Sequence, residues 1–224
     1  MIDNDTTVLT ASDGHEFAAY MAKPDGPVRG AIVVVQEIFG VNSHIRSVAD
    51  GFAADGFFAI APSLFDRIRP NVQMGYTPED IQTGIQLKDQ QDLEKAMLDC
   101  AAAVREGQKA GKVGIVGYCW GGAIAWASAA HIPALGAAVS YYGGGTTEMA
   151  DLQPQCPVLF HYGELDQKIP LDGVAKLQAA HPDQAFHLYK ADHGFNCDQR
   201  GSFDAQAARL ARERTVTFFA QHLD

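Results

Sequence analysis

The stretch KVGIVGYCWGG, residues 112–122, decides the fold. Its first half, KVGIVGY, is a short apolar run of the kind that suits a strand buried on both faces of a parallel sheet. The GGAIAWASAAH that follows reads as a helix of small residues. Between them stands Gly117-Tyr118-Cys119-Trp120-Gly121, a G-x-C-x-G pattern. A nucleophile held between strand and helix sits on a strained turn, where side chains two positions either side would clash with neighbouring backbone. Such a turn lifts the sulfur out of the sheet and sets it at a helix N-terminus, whose dipole favours a thiolate.

The same alternation extends in both directions. AIVVVQEI carries an unbroken apolar run from Ala31 to Val35, and FFAIAP is stopped by Pro62. Downstream, ALGAAVSYY ends in Gly143-Gly144-Gly145, and PVLFHYG and AFHLYK complete the strands. Helical spacing covers HIRSVADGFAADG, a long stretch from about Pro78 to Gly107 whose expected break point is Gly84, residues 171–180, and Phe203 to His222. The N-terminal VLTASDGHEFAAYMAKP reads as a hairpin turning at Asp13-Gly14, and residues 63–77 read as irregular and partly basic. Strands alternating with helices imply an α/β protein with a mostly parallel sheet covered on both faces. With no repeat or linker, residues 1–224 are expected to form a single domain.

Composition narrows the function. Seventeen basic residues against 27 acidic ones give a net charge of -10. That balance argues against nucleic-acid binding, which rests on phosphate neutralisation, and offers no general attraction for anionic membranes. No apolar run approaches the roughly 18 residues of a membrane span. The start, MIDNDTTVLT, is acidic and polar, unlike a signal peptide, so a cytoplasmic location is expected. The four cysteines, Cys100, Cys119, Cys156 and Cys197, lack the spacing of a zinc knuckle, and free thiols are expected. No histidine pair has a spacing such as HExxH, so neither metal nor cofactor is expected.

In a parallel sheet covered by helices, chemistry gathers beyond the carboxyl ends of the strands. After PVLFHYG come Glu164 and Asp166, of which Asp166 lies deeper in the loop; after AFHLYK comes His193. Cys119, Asp166 and His193 thus follow the order nucleophile, acid, base of an α/β-hydrolase. By position, the backbone N–H groups of Ile38 and Trp120 would form the oxyanion hole. Glu37 is then the odd residue: a carboxylate beside a site built for negative charge must be neutral, paired or engaged with the thiol. Its simplest alternative is a solvated or arginine-paired acid at a strand end. Phe39, Tyr76, Phe195 and Arg200 are the candidate substrate-binding residues, Phe39 and Phe195 because they sit in loops beside catalytic positions.

QEIFGVN (36–42), KVGIVGYCWGG (112–122), the G-x-x-D loop at 163–166, HGF (193–195) and ERTVTFF (213–219) together resemble the dienelactone hydrolase (carboxymethylenebutenolidase) family of α/β-hydrolases. The resemblance runs nearly end to end. It implies a triad of Cys119, Asp166 and His193, with Glu37 hydrogen-bonded to the resting thiol and displaced by substrate. Well-characterised members hold the substrate carboxylate with two arginines. Here residues 78–86 contain no arginine, and the position four residues after His193 is Cys197. Arg200, Arg67, Arg69 and Lys88 are the basic residues near in sequence.

The expected reaction is acyl transfer from a small lactone or ester to water through a thioester on Cys119. His193 would take the thiol proton directly or through Glu37, and Asp166 would orient His193. One alternative is a general hydrolase of small esters or thioesters without a carboxylate clamp. The other, from a different class, is a redox-sensing relative in which Cys197 resolves an oxidised Cys119.

Overall fold

The computed structural model describes residues 5–224. Residues 1–4, the first part of the stretch read as unlike a signal peptide, lie outside the described residues. Eight strands form one sheet: β1 (Thr6–Thr10), β2 (Glu16–Ala22), β3 (Ala31–Val35), β4 (Phe58–Pro62), β5 (Val113–Tyr118), β6 (Leu135–Tyr141), β7 (Val158–Gly163) and β8 (Ala185–Tyr189). Their order across the sheet is β1-β2-β4-β3-β5-β6-β7-β8. β1 and β2 pair antiparallel as the expected hairpin, β2 joins β4 antiparallel, and every later pairing is parallel. The two runs read as doubly buried strands are central neighbours. β3 and β5 pair from Ala31↔Val113 to Val35↔Gly117, and every residue of both is buried.

Six helices cover the sheet: α1 (Ser43–Ala54), α2 (Pro78–Gln90), α3 (Leu93–Gly107), α4 (Trp120–His131), α5 (Leu171–Ala180) and α6 (Ala205–Leu223). α4 is buried along almost its whole length, which explains its small residues: it packs directly on β5 and β6. The segment between β4 and α2 is irregular apart from one 3₁₀ turn, Leu64–Arg67.

The long helical stretch is two helices, and the break lies at Gln91–Asp92 rather than at Gly84. Asp92 starts α3 by accepting from the N–H groups of Glu94 and Lys95. Gly84 lies inside α2 for a different reason. A Cβ there would stand 2.4 Å from the carbonyl oxygen of Ile38. Glycine at 84 therefore lets α2 press onto the loop after β3.

Among the described residues, no helix is long and apolar enough to cross a membrane. One groove of about 910 Å³ opens near the amino end of β4. Asp5, Asp25, Asp50, Asp55 and Glu106 are among its lining residues. It is at the opposite end of the parallel strands from Cys119, Asp166 and His193.

Candidate active site

Cys119 links β5 to α4 with φ 56° and ψ -119°, a conformation that side chains rarely adopt. The flanking glycines make it possible. A Cβ on Gly117 would fall 1.8 Å from the carbonyl oxygen of Gly121, and one on Gly121 would fall 2.4 Å from that of Gln36. The turn is thus packed backbone on backbone, and no residue larger than glycine fits at either place. Strain of this kind costs about 1–3 kcal/mol and persists because the surrounding backbone leaves no alternative. Cys119 N–H donates to the Tyr141 carbonyl, which fixes the elbow to β6.

His193 brings its Nε2 to 3.1 Å from Cys119 Sγ. Its Nδ1 lies 2.6 Å from Asp166 Oδ2. The loop carrying His193 is pinned at both ends of the residue. Its N–H donates to Asp192 Oδ1 and its carbonyl accepts from the Ser202 hydroxyl. Asp166 is 4% exposed and its other oxygen accepts from the Lys168 N–H. Burial opposes charging of His193, but the hydrogen bonds to Asp166 and Cys119 outweigh it and raise its pKa to about 9. The imidazole is therefore a stronger base than an isolated histidine. Glu164 is exposed, in keeping with the choice of Asp166.

The backbone N–H groups of Ile38 and Trp120 donate to no acceptor among the described residues. Trp120 N–H opens α4, and the Trp120 ring stacks on Phe65 at 5.1 Å and 9°. Beneath the triad lies a buried polar network. Thr215 Oγ1 meets Tyr141 OH at 2.7 Å and His161 Nε2 at 3.0 Å, and His161 Nδ1 meets Tyr189 OH at 2.8 Å. Burial holds the pKa of His161 well below the usual histidine value, so it serves here as a neutral tie between β7, β8 and α6.

Two expectations require correction. Glu37 was expected to hydrogen-bond the thiol. Instead its Oε1 accepts from Arg200 Nη1 at 3.0 Å and its Oε2 from Tyr76 OH at 3.1 Å, with 1% of the side chain exposed. An arginine 163 residues away neutralises the odd carboxylate, and the thiol's partner is His193. Phe195 was expected to face a substrate. It is fully buried among Tyr141, Tyr142 and Tyr189, with ring centroids 5.2–6.3 Å away, and belongs to the core under the site.

The basic residues divide clearly. Arg67 is occupied by Asp13 and Asp99, and Lys88 by Asp89. Arg69 reaches Met74 Sδ at 3.9 Å. Arg200 alone of the four lies beside these three residues, Cys119, Asp166 and His193, over the rings of Phe39 and Tyr76, 5.9 and 5.8 Å from their centroids. Gly194, at φ 81°, makes room for it: a Cβ there would lie 2.5 Å from Arg200 Nη1. Phe39 is itself 2% exposed and packs edge-on against Tyr76 at 4.6 Å. All four cysteines are free thiols. Cys197, fully buried, has its pKa raised to about 11 by burial and by the Glu37 charge.

One grouping was not legible in the sequence. Glu37, His44 and Cys197 come from three separate segments, yet one ligand atom of each lies within 4.8 Å of the others. No spacing rule joins residues so far apart.

The family model of the dienelactone hydrolase family matches residues 17–223. The chain belongs to the dienelactone hydrolase family. Its relatives in that family include a Synechocystis protein named "Putative carboxymethylenebutenolidase", 34% identical over 99% of both chains. An Escherichia coli K12 protein of the same name is 36% identical over 94% of this chain and 84% of its own. A Klebsiella pneumoniae structure titled "Putative Dienelactone Hydrolase" superposes with a TM-score of 0.83, at 32% identity, over 97% of this chain and 100% of its own. Fold and family are those of an α/β-hydrolase that acts as a carboxylic ester hydrolase.

Proposed function

We propose that this dienelactone hydrolase family member hydrolyses a small lactone or ester through a thioester on Cys119. The observation that carries the reading is the continuous line from Cys119 Sγ through the His193 ring to Asp166, at 3.1 and 2.6 Å. The thiol proton passes directly to His193 Nε2, and the thiolate attacks the acyl carbon. The N–H groups of Ile38 and Trp120 receive the oxyanion; losing one such donor typically costs 10²–10³ in rate, about 3–4 kcal/mol. The tetrahedral intermediate collapses and His193 returns the proton to the leaving alkoxide. His193 then takes a proton from water, hydroxide attacks the thioester carbon, and the acid leaves as Cys119 regains its proton. Asp166 holds the imidazole in one orientation and stabilises its cation throughout.

Arg200 supports a preference for substrates bearing a carboxylate, since it is the cation beside the nucleophile and burial around it strengthens any ion pair. A second reading, an esterase of neutral substrates, is favoured by the same residue's existing pairing with Glu37. The deciding experiment measures kcat/KM of the reduced protein on dienelactone and on a neutral aryl ester, with Cys119→Ala alongside. Turnover lost in Cys119→Ala, with an acyl adduct of Cys119 detected by mass spectrometry in rapidly quenched wild type, is the expected result. Unchanged turnover in Cys119→Ala would refute the thioester route. A strong preference for the carboxylate-bearing substrate selects the first reading, and a preference for the neutral ester the second.

A further inference from the structure

We propose that Glu37, His44 and Cys197 form a binding site for a thiophilic divalent cation such as zinc. Glu37 follows β3, His44 opens α1, and Cys197 lies in the loop after β8. All three are buried, and one carboxylate oxygen, one imidazole nitrogen and the sulfur lie within 4.8 Å of one another. A tetrahedral zinc site is tighter than this: metal–ligand distances of about 2.0–2.3 Å put the ligand atoms roughly 3.3–3.7 Å apart, so binding draws the three side chains inward.

The histidine points to a ligand independently. The residue, His44, is 4% exposed, its Nδ1 is held by Asp198 Oδ1 at 3.3 Å, and its Nε2 is buried without a hydrogen-bond partner among the described residues. A buried ring nitrogen left unpaired is unfavourable, and a bound cation would satisfy it. A carboxylate on one ring nitrogen with the other left to a metal is the usual way a ligating imidazole is oriented.

The donor set selects the ion. One thiolate, one imidazole and one carboxylate suit zinc, cobalt or cadmium and not magnesium or calcium, which take oxygen ligands. Binding converts the Cys197 thiol to a thiolate and releases its proton to solvent, while the cation takes one lone pair from each of the three groups. Two anionic ligands balance the charge of the ion, so Arg200 faces a neutral cluster. Glu37 keeps Oε1 on Arg200 and gives up the hydrogen bond from the uncharged Tyr76 hydroxyl, the weaker of its two. Three protein ligands leave the fourth position to water.

The test needs no substrate and so stands apart from the acyl-transfer reading. Reduced, chelator-treated protein is titrated with cobalt and followed by its near-ultraviolet sulfur-to-cobalt band, then challenged with zinc. One equivalent of cobalt, a band displaced by zinc, loss of that band in Cys197→Ser and its survival in Cys119→Ser are expected. Asp198→Asn, at an exposed position, should weaken cobalt binding about 10-fold or more while leaving the melting temperature unchanged. If Cys197→Ser does not fold, His44→Gln serves the same purpose and should lower the affinity at least as much. Failure of the wild-type protein to take up cobalt would overturn the proposal. So would a band lost in Cys119→Ser but kept in Cys197→Ser, which would place the metal on the other thiol.

Discussion

Arg200→Met tests the ion pair that replaced the expected thiol contact. In the folded chain Glu37 has two partners, Arg200 and Tyr76, and 1% of its side chain reaches solvent. Removing the guanidinium leaves a buried carboxylate with one hydrogen bond, from the uncharged Tyr76 hydroxyl. Stranding one member of a buried pair typically costs 3–5 kcal/mol, and the near-complete burial of Glu37 places this variant within that range, at about 4 kcal/mol. Glu37→Gln is the milder change. Arg200 is 14% exposed and lies against Phe39 and Tyr76, so its charge is closer to water, and a cost of about 1–2 kcal/mol is expected. The double variant carries no unpaired charge and should be more stable than Arg200→Met alone. Urea unfolding of the four proteins at neutral pH, with equal m-values, gives the cycle. A cost for Arg200→Met no larger than that of Glu37→Gln, or a double variant equal to the sum of the singles, would refute the pairing argument.

Gly117→Ala should fail to fold or lose several kcal/mol, since its methyl would overlap the Gly121 carbonyl, whereas Gly144→Ala, with open space around it, should be neutral; soluble yield and melting temperature separate them. Asp166→Asn tests the His193 pKa. The folded chain holds that proton up to about pH 9 and the unfolded chain only to about 6.5, so the stabilisation is full below 6.5 and is lost as pH rises through 9. Denaturation should therefore show a larger cost of Asp166→Asn at pH 6 than above pH 9; an equal cost would remove Asp166 as the source. Thr215→Val strands Tyr141 OH and His161 Nε2 in the core and should cost about 1–3 kcal/mol by urea unfolding, with the turn at Cys119 intact.

The strands were legible because their signals are local. Ala31–Val35 and Val113–Tyr118 are apolar without interruption, and only the centre of a parallel sheet hides both faces of such runs. The juxtaposition of Cys119, Asp166 and His193 was legible through chain order, since each follows a strand. What escaped depends on partners distant in sequence. Gly84 resembles a helix breaker until Ile38 is seen against it, and Glu37 remains unexplained until Arg200 arrives from beyond β8. Phe195 sits close to His193 in sequence, but its direction, inward among the tyrosines, is fixed by packing that sequence spacing does not encode.

The left-handed backbone at Cys119 also has an evolutionary consequence. On the proposed acyl-transfer reading, a side chain at that position is kept for what the sulfur does, because glycine would adopt the same dihedrals with less strain. Lineages that cease to need the reaction gain stability by drifting to glycine there, while Gly117 and Gly121 stay fixed by the crowded backbone around them. Loss of function in such a descendant would leave the elbow's shape intact and erase only its occupant.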